Sequence, residues 1–185
     1  MLSDADIIDL AQRMSIPLEA VVFKDQIPGK LKYNKAYVIN LEDAHSKDGK
    51  RNQGTHWTCF QCNRYKSGKI ERIYFDSFGM PPPTAVTDFV GGHIPHNDVD
   101  IQSLMNEACG WYCLAFLHFI NASEYRSGDL FTDANNFISM FNDLEKSHDF
   151  KKNEFILKHF FRSTDPSRRM AIEVEEITRQ DKPML

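Results

Sequence analysis

Hydrophobic residues make up 42% of this 185-residue chain, 14 of them phenylalanine, which excludes an unfolded polymer and supplies one packed domain. A net charge of −4 and a pI near 6.0 give no overall attraction to nucleic acid. No apolar run reaches the length of a membrane span, and Met1 to Ile8 lacks the basic start and apolar core of a signal peptide. The expectation is therefore a protein neither secreted nor membrane-bound, with its four cysteines reduced. Local basic groups at Lys30–Lys35, Lys47–Arg51 and Arg162–Arg169 read as solvated surface.

In chain order, Ser3 with Asp6 three residues on forms a capping box, and Ile7, Ile8, Leu10, Ala11 and Met14 recur at helical spacing before Pro17. Ala20–Phe23 and Ala36–Leu41 read as short strands separated by Pro28–Gly29. A polar loop, Glu42–Gly54, leads into a third strand over Thr55–Cys62. A turn at Ser67–Gly68 precedes a fourth over Ile70–Phe75, so these two strands predict a hairpin. The run DSFGMPPP breaks regular structure. A short helix follows over Thr84–Phe89, then a loop over Gly91–Asn97 and a last short strand at Val99–Ile101.

The most apolar stretch is Ala108–Phe119, too short to span a bilayer and too hydrophobic for a surface helix. It predicts a buried central helix with Asn106 placed to cap it. Amphipathic helices are expected over Asp133–Leu144 and Asn153–Phe161. The expected fold class is α+β, a mostly antiparallel sheet packed against helices, in a single domain over residues 1–161. Residues 162–185 read as a charged tail, mobile or laid over the domain.

Cys109 stands in the first turn of the apolar helix, where the helix dipole and unpaired N–H groups favour thiolate over thiol. A nucleophilic cysteine needs a base, a group that orients the base, and donors for the oxyanion. His56 is the candidate base, beside the bulky Trp57. Asp76, at the end of the following strand, is placed to hold the outer ring nitrogen. Gln102, seven residues before Cys109, is the candidate side-chain oxyanion donor, together with the Cys109 backbone N–H. Gly110 is read as removing bulk where a substrate carbonyl would approach.

The ordered set of THW, a strand ending in acid–SFG, then Gln102 and Cys109–Gly110, resembles the adenain group, the maturation cysteine proteases of adenoviruses and their relatives in virophages and Maverick-type elements. These belong to the wider clan that includes the SUMO-processing proteases. CGWYCLAFLHFI is similar to the adenain nucleophile helix, and VFKDQIP followed by VINLEDA and GTHW is similar to the amino-terminal half of virophage and Maverick members. The resemblance spans Val21 to Ile120, about half the chain. It implies a cysteine endopeptidase with His56, Asp76 and Cys109 as triad and Gln102 as oxyanion donor. It also implies viral capsid or precursor proteins as substrates, cut near glycine, and a location at virions and assembly sites in the host cell. Two features depart from the adenoviral pattern: the chain is acidic, and no cysteine lies between Asp76 and Cys109. A monomer that requires neither DNA nor a disulfide-linked peptide, and no metal or other cofactor, is therefore expected.

Two rival functions use the same residues. A SUMO- or ubiquitin-deconjugating isopeptidase would share the machinery and differ in its docking surface. A zinc-stabilised interaction module would use Cys59 and Cys62 with histidines, although residues three apart on a strand point to opposite faces. The short HIPH run, His93–His96, offers the only other zinc spacing. Cys113, one turn beyond Cys109, reads as core, and His118 and His159 as hydrogen-bonded or partly exposed residues of apolar helices. Gly91–Gly92 reads as a turn, with self-cleavage after Gly92 as the alternative, because Phe89-Val90-Gly91-Gly92 loosely resembles an adenain cleavage site.

Overall fold

A computed structural model describes residues 1–164. Its first helix, α1 (Asp4–Arg13), starts at the predicted capping box: the Ser3 hydroxyl accepts from the Asp6 N–H while the Asp6 carboxylate reaches back to the Ser3 N–H. Four strands follow, β1 (Leu18–Phe23), β2 (Lys35–Asn40), β3 (Trp57–Arg64) and β4 (Ile70–Phe75), hydrogen-bonded in the order β1-β2-β3-β4. β3 and β4 form the predicted hairpin, β2 pairs antiparallel with β3, and β1 lies parallel to β2.

Helices cover both faces of this sheet, and the core divides accordingly. Ala36, Val38, Cys59, Ile73 and Phe75 face one cluster with α1 and the central helix α3 (Cys109–Asn121). Tyr37, Ile39, Phe60, Cys62 and Tyr74 face a smaller cluster closed by Val86 and Val90 of α2 (Thr84–Val90). Burial on both faces explains why β2 and β3 read as apolar runs without clean alternation. Eleven of the 13 residues of α3 are buried, as an all-round apolar helix requires. Phe116 of α3 stacks on Phe75 with ring centroids 4.4 Å apart, fixing the helix over β4.

Four local expectations need correction. Val99–Ile101 forms no strand. Its backbone groups are met by non-strand partners: the Ile101 N–H donates to the Ser77 carbonyl (2.9 Å), and the Asp100 carbonyl accepts from Leu144 (2.8 Å). Asn106 does not cap α3; the N-cap is Ala108, without a side-chain cap bond, and the Asn106 carboxamide accepts from the Ala108 N–H instead. The helix placed at Asp133–Leu144 is α4 (Leu130–Ile138), because Asp129 caps it by accepting from the Thr132 N–H. A separate turn of helix, α5 (Leu144–Ser147), follows, started by Asp143. Finally, His56 lies just before β3 rather than within it, though its carbonyl still accepts from the Leu41 N–H at 3.0 Å.

The last helix, α6 (Phe150–Thr164), extends three residues into the stretch read as tail; residues 165–185 lie outside the described residues. Its Phe161 meets Trp111 of α3 edge-on at 5.2 Å. Gly91 takes the left-handed conformation that ends α2, and the Gly91 and Gly92 N–H groups both bond back to that helix, as expected of a turn. No helix among the described residues is long and apolar enough to cross a membrane.

Candidate active site

The end of β4 and the start of β3 are adjacent across the hairpin, and that adjacency joins His56 to Asp76. His56 Nε2 lies 2.8 Å from Asp76 Oδ1. Asp76 is fully buried, and its Oδ1 also accepts from the Phe78 N–H at 2.8 Å. The Asp76 backbone is clamped by Asn97, whose carboxamide accepts from the Asp76 N–H (3.0 Å) and donates to its carbonyl (2.6 Å). Phe78 then stacks on the imidazole, ring centroids 4.6 Å apart. Gly79 permits the tight turn: its φ is +70°, and a Cβ there would come within 2.9 Å of the Asp98 and Val99 backbone.

Cys109 opens α3, which brings the sulfur to the backbone of Trp57, the residue after His56. The Trp57 N–H donates to Cys109 Sγ at 3.4 Å, and Cys109 is close enough to His56 to raise its pKa. With Nε2 engaged by Asp76, Nδ1 is the nitrogen left to face the sulfur. Burial disfavours the charged imidazole, but the Asp76 hydrogen bond, the Cys109 hydrogen bond and the negative charge of both partners outweigh it. The His56 pKa is pushed up from 6.5 to about 9. His56 is thus held protonated at neutral pH, able to act as a proton donor.

Gln102 is also buried, 1% exposed, and tied at both ends. Its Oε1 accepts from the Ser77 hydroxyl (2.7 Å), and its Nε2 donates to the Asn106 carbonyl (2.9 Å), leaving one amide hydrogen uncommitted by that bond. Ser77 follows Asp76 directly, so one turn holds both the Asp76 carboxylate and the Gln102 amide. The first turn of α3 has no side-chain cap, which keeps its N–H groups available.

Gly110 has a different role from the one expected. A Cβ there would meet Leu2 at 3.2 Å and Ile7 at 3.5 Å, so the missing side chain makes room for α1 and not for a substrate carbonyl. A cleft of about 570 Å³ is lined by Leu2, Phe23, Arg51, Gly54, Trp57 and Glu107, among others; of these Trp57 adjoins His56, and none of His56, Asp76, Gln102 and Cys109 lines it. The segment before His56 is held by β2: Asn40 Oδ1 accepts from Thr55 N–H (3.3 Å), and Glu42 accepts from Gly54 N–H (3.1 Å).

The remaining cysteines are in different surroundings. Cys59 and Cys62 sit in the two separate core clusters, on opposite faces of β3, so they cannot share one ion. Among the described residues no three His, Cys, Asp or Glu side chains are grouped to hold a metal. Burial pushes the Cys62 thiol up to about 11. His118 bonds to the Met14 carbonyl (3.1 Å), and His159 stacks with Phe155. Phe78 and Ser77 were signalled by the SFG run after Asp76. Asn97 and Asn40 carried no local signal, because their partners lie 15 to 21 residues away.

No family model matches the chain, and no curated protein matches it. Similar solved structures include the crystal structure of HopZ1a in complex with IP6, at 10% identity and a TM-score of 0.41, covering 79% of this chain and 53% of that one. The chain thus spans about half the length of that protein.

Proposed function

We propose that the protein is a cysteine endopeptidase in which Cys109, His56 and Asp76 form the triad. The observation that carries this is the 2.8 Å His56–Asp76 hydrogen bond, with Cys109 at the start of α3 and its sulfur on the N–H of Trp57, the residue after His56. In the proposed reaction the Cys109 thiolate attacks the peptide carbonyl carbon. The resulting oxyanion is held by the Gln102 amide and the Cys109 N–H. The intermediate collapses to a thioester as the amine leaves with a proton from the His56 imidazolium. Water, deprotonated by neutral His56, then attacks the thioester, and collapse releases the acid and the Cys109 thiolate, restoring the starting thiolate–imidazolium pair. The cleft beside Trp57 is the candidate path for an extended substrate.

The finer assignment, processing of viral precursor proteins at glycine-containing sites, rests on the adenain resemblance of THW, DSFG and Gln102 with Cys109–Gly110; that no DNA is needed rests on the departure from that pattern, a net charge of −4. The test is hydrolysis of a Gly-Gly-containing peptide compared with a ubiquitin-like fusion, in wild type and Cys109→Ala. Cys109-dependent peptide cleavage is expected. Turnover of the fusion alone would favour the deconjugating alternative, and turnover by the alanine variant would remove Cys109 from the reaction.

A further inference from the structure

The loop between Gln102 and Cys109 is fastened from a part of the chain that the triad does not use. Asn153 and Glu154, in the first turns of α6, reach its two ends. Asn153 is 1% exposed; its carboxamide donates to the Ile101 carbonyl (3.0 Å) and the Asn142 carbonyl (2.7 Å) and accepts from the Asn142 N–H (2.7 Å). The Glu154 carboxylate accepts from Asn106 Nδ2 at 3.0 Å. Ile101 immediately precedes Gln102, and its carbonyl also accepts from the Tyr112 hydroxyl of α3 at 3.2 Å. Asn106 supplies the carbonyl that takes the Gln102 amide hydrogen. Thus the backbone on both sides of the Gln102 carboxamide is tied to α6.

A buried asparagine in a helix is costly unless each of its polar hydrogens has a partner, and here both do. An amide that must meet an oxyanion has little tolerance for displacement. We infer that Asn153 and Glu154 are positioning residues for Gln102, making α6 part of the catalytic apparatus and not only a cover for the core. This rests on Gln102 being the oxyanion donor of the proposed endopeptidase.

Asn153→Asp keeps size and the acceptor for Asn142 but replaces the two donors with oxygen facing two carbonyls. It should lower kcat by about tenfold with KM within about twofold, because alignment and not substrate binding is lost. Glu154→Ala, at a partly buried site that a folded protein tolerates, should cost roughly threefold to fivefold in kcat, and Glu154→Gln should restore it. Alkylation of Cys109 by iodoacetamide should be unchanged in all three variants, since it does not use Gln102.

The decisive arm is a double-variant cycle: in a Gln102→Ala background neither Asn153→Asp nor Glu154→Ala should lower kcat further. Losses that multiply in the double variants, or alkylation that falls in step with kcat, would overturn the positioning role while leaving the endopeptidase reading intact. Absence of Cys109-dependent turnover in the wild type would overturn both.

Discussion

Cys109 and Cys113 lie one turn apart on α3, and both touch the backbone of Trp57, yet their chemistry differs. At Cys109 the Trp57 N–H donates to the sulfur, and His56, held protonated by Asp76, stands beside it. At Cys113 the contact is reversed: its thiol donates to the Trp57 carbonyl at 3.4 Å. Full burial, with Cys59 as neighbour, pushes the Cys113 thiol well above its ordinary range. One residue thus presents its N–H to one sulfur and its carbonyl to the other. Position relative to the helix start and the hairpin, more than residue type, sets the surroundings of each sulfur.

The contrast is tested most severely by removing each sulfur in turn. Cys109→Ala should abolish peptide hydrolysis without loss of fold. Cys113→Ala should keep turnover within a fewfold and lower stability by about 1 kcal/mol, read from denaturant midpoints. His56→Ala should reduce kcat by several orders of magnitude, and Asp76→Asn by less, if orientation and charge are the only contributions of Asp76.

A pH profile sharpens the same point. The folded-state pKa of His56 is raised from 6.5 to about 9, so its charged form contributes stability that is complete below about pH 6.5 and is lost as pH rises through 9. The alkaline limb of kcat/KM should therefore fall near pH 9 in wild type and move toward 6.5 in Asp76→Asn. An unmoved limb would detach the imidazole from the carboxylate.

Gln102→Ala should lose about a hundredfold in kcat with KM little changed. The smallest effect is expected at Gly110→Ala, where Leu2 and Ile7 must give way. Stability should fall by about 1–3 kcal/mol while KM stays constant, and a raised KM with unchanged stability would return Gly110 to the substrate path.

Local patterns made much of this legible in the sequence. The Ser3–Asp6 capping box, the hairpin of β3 and β4, and the apolar run of α3 are each written in consecutive residues. His56, Asp76 and Cys109 could be read because each sits at the border of such an element, whereas Gln102 lies in a loop and was legible only through its spacing to Cys109. What was not legible depends on distant partners. Val99–Ile101 has the composition of a strand, but Ser77 and Asn153 take its backbone groups. Gly110 reads as open space until α1 fills it. Asn106 resembles a cap, but its carboxamide oxygen accepts from the N–H of Ala108, the N-cap residue itself, while Glu154 takes its donor; neither Asn153 nor Glu154 has any mark in its own segment of the part it plays.

The most direct measurement is covalent capture with a Gly-Gly peptide carrying a vinyl sulfone, whose β-carbon accepts a thiolate as the neighbouring carbon takes a proton. One adduct per chain, mapped by mass spectrometry to Cys109, kept in Cys113→Ala and lost in His56→Ala, is the predicted result. An adduct on Cys113 or Cys59, or labelling of Cys109 that is indifferent to His56, would contradict the account.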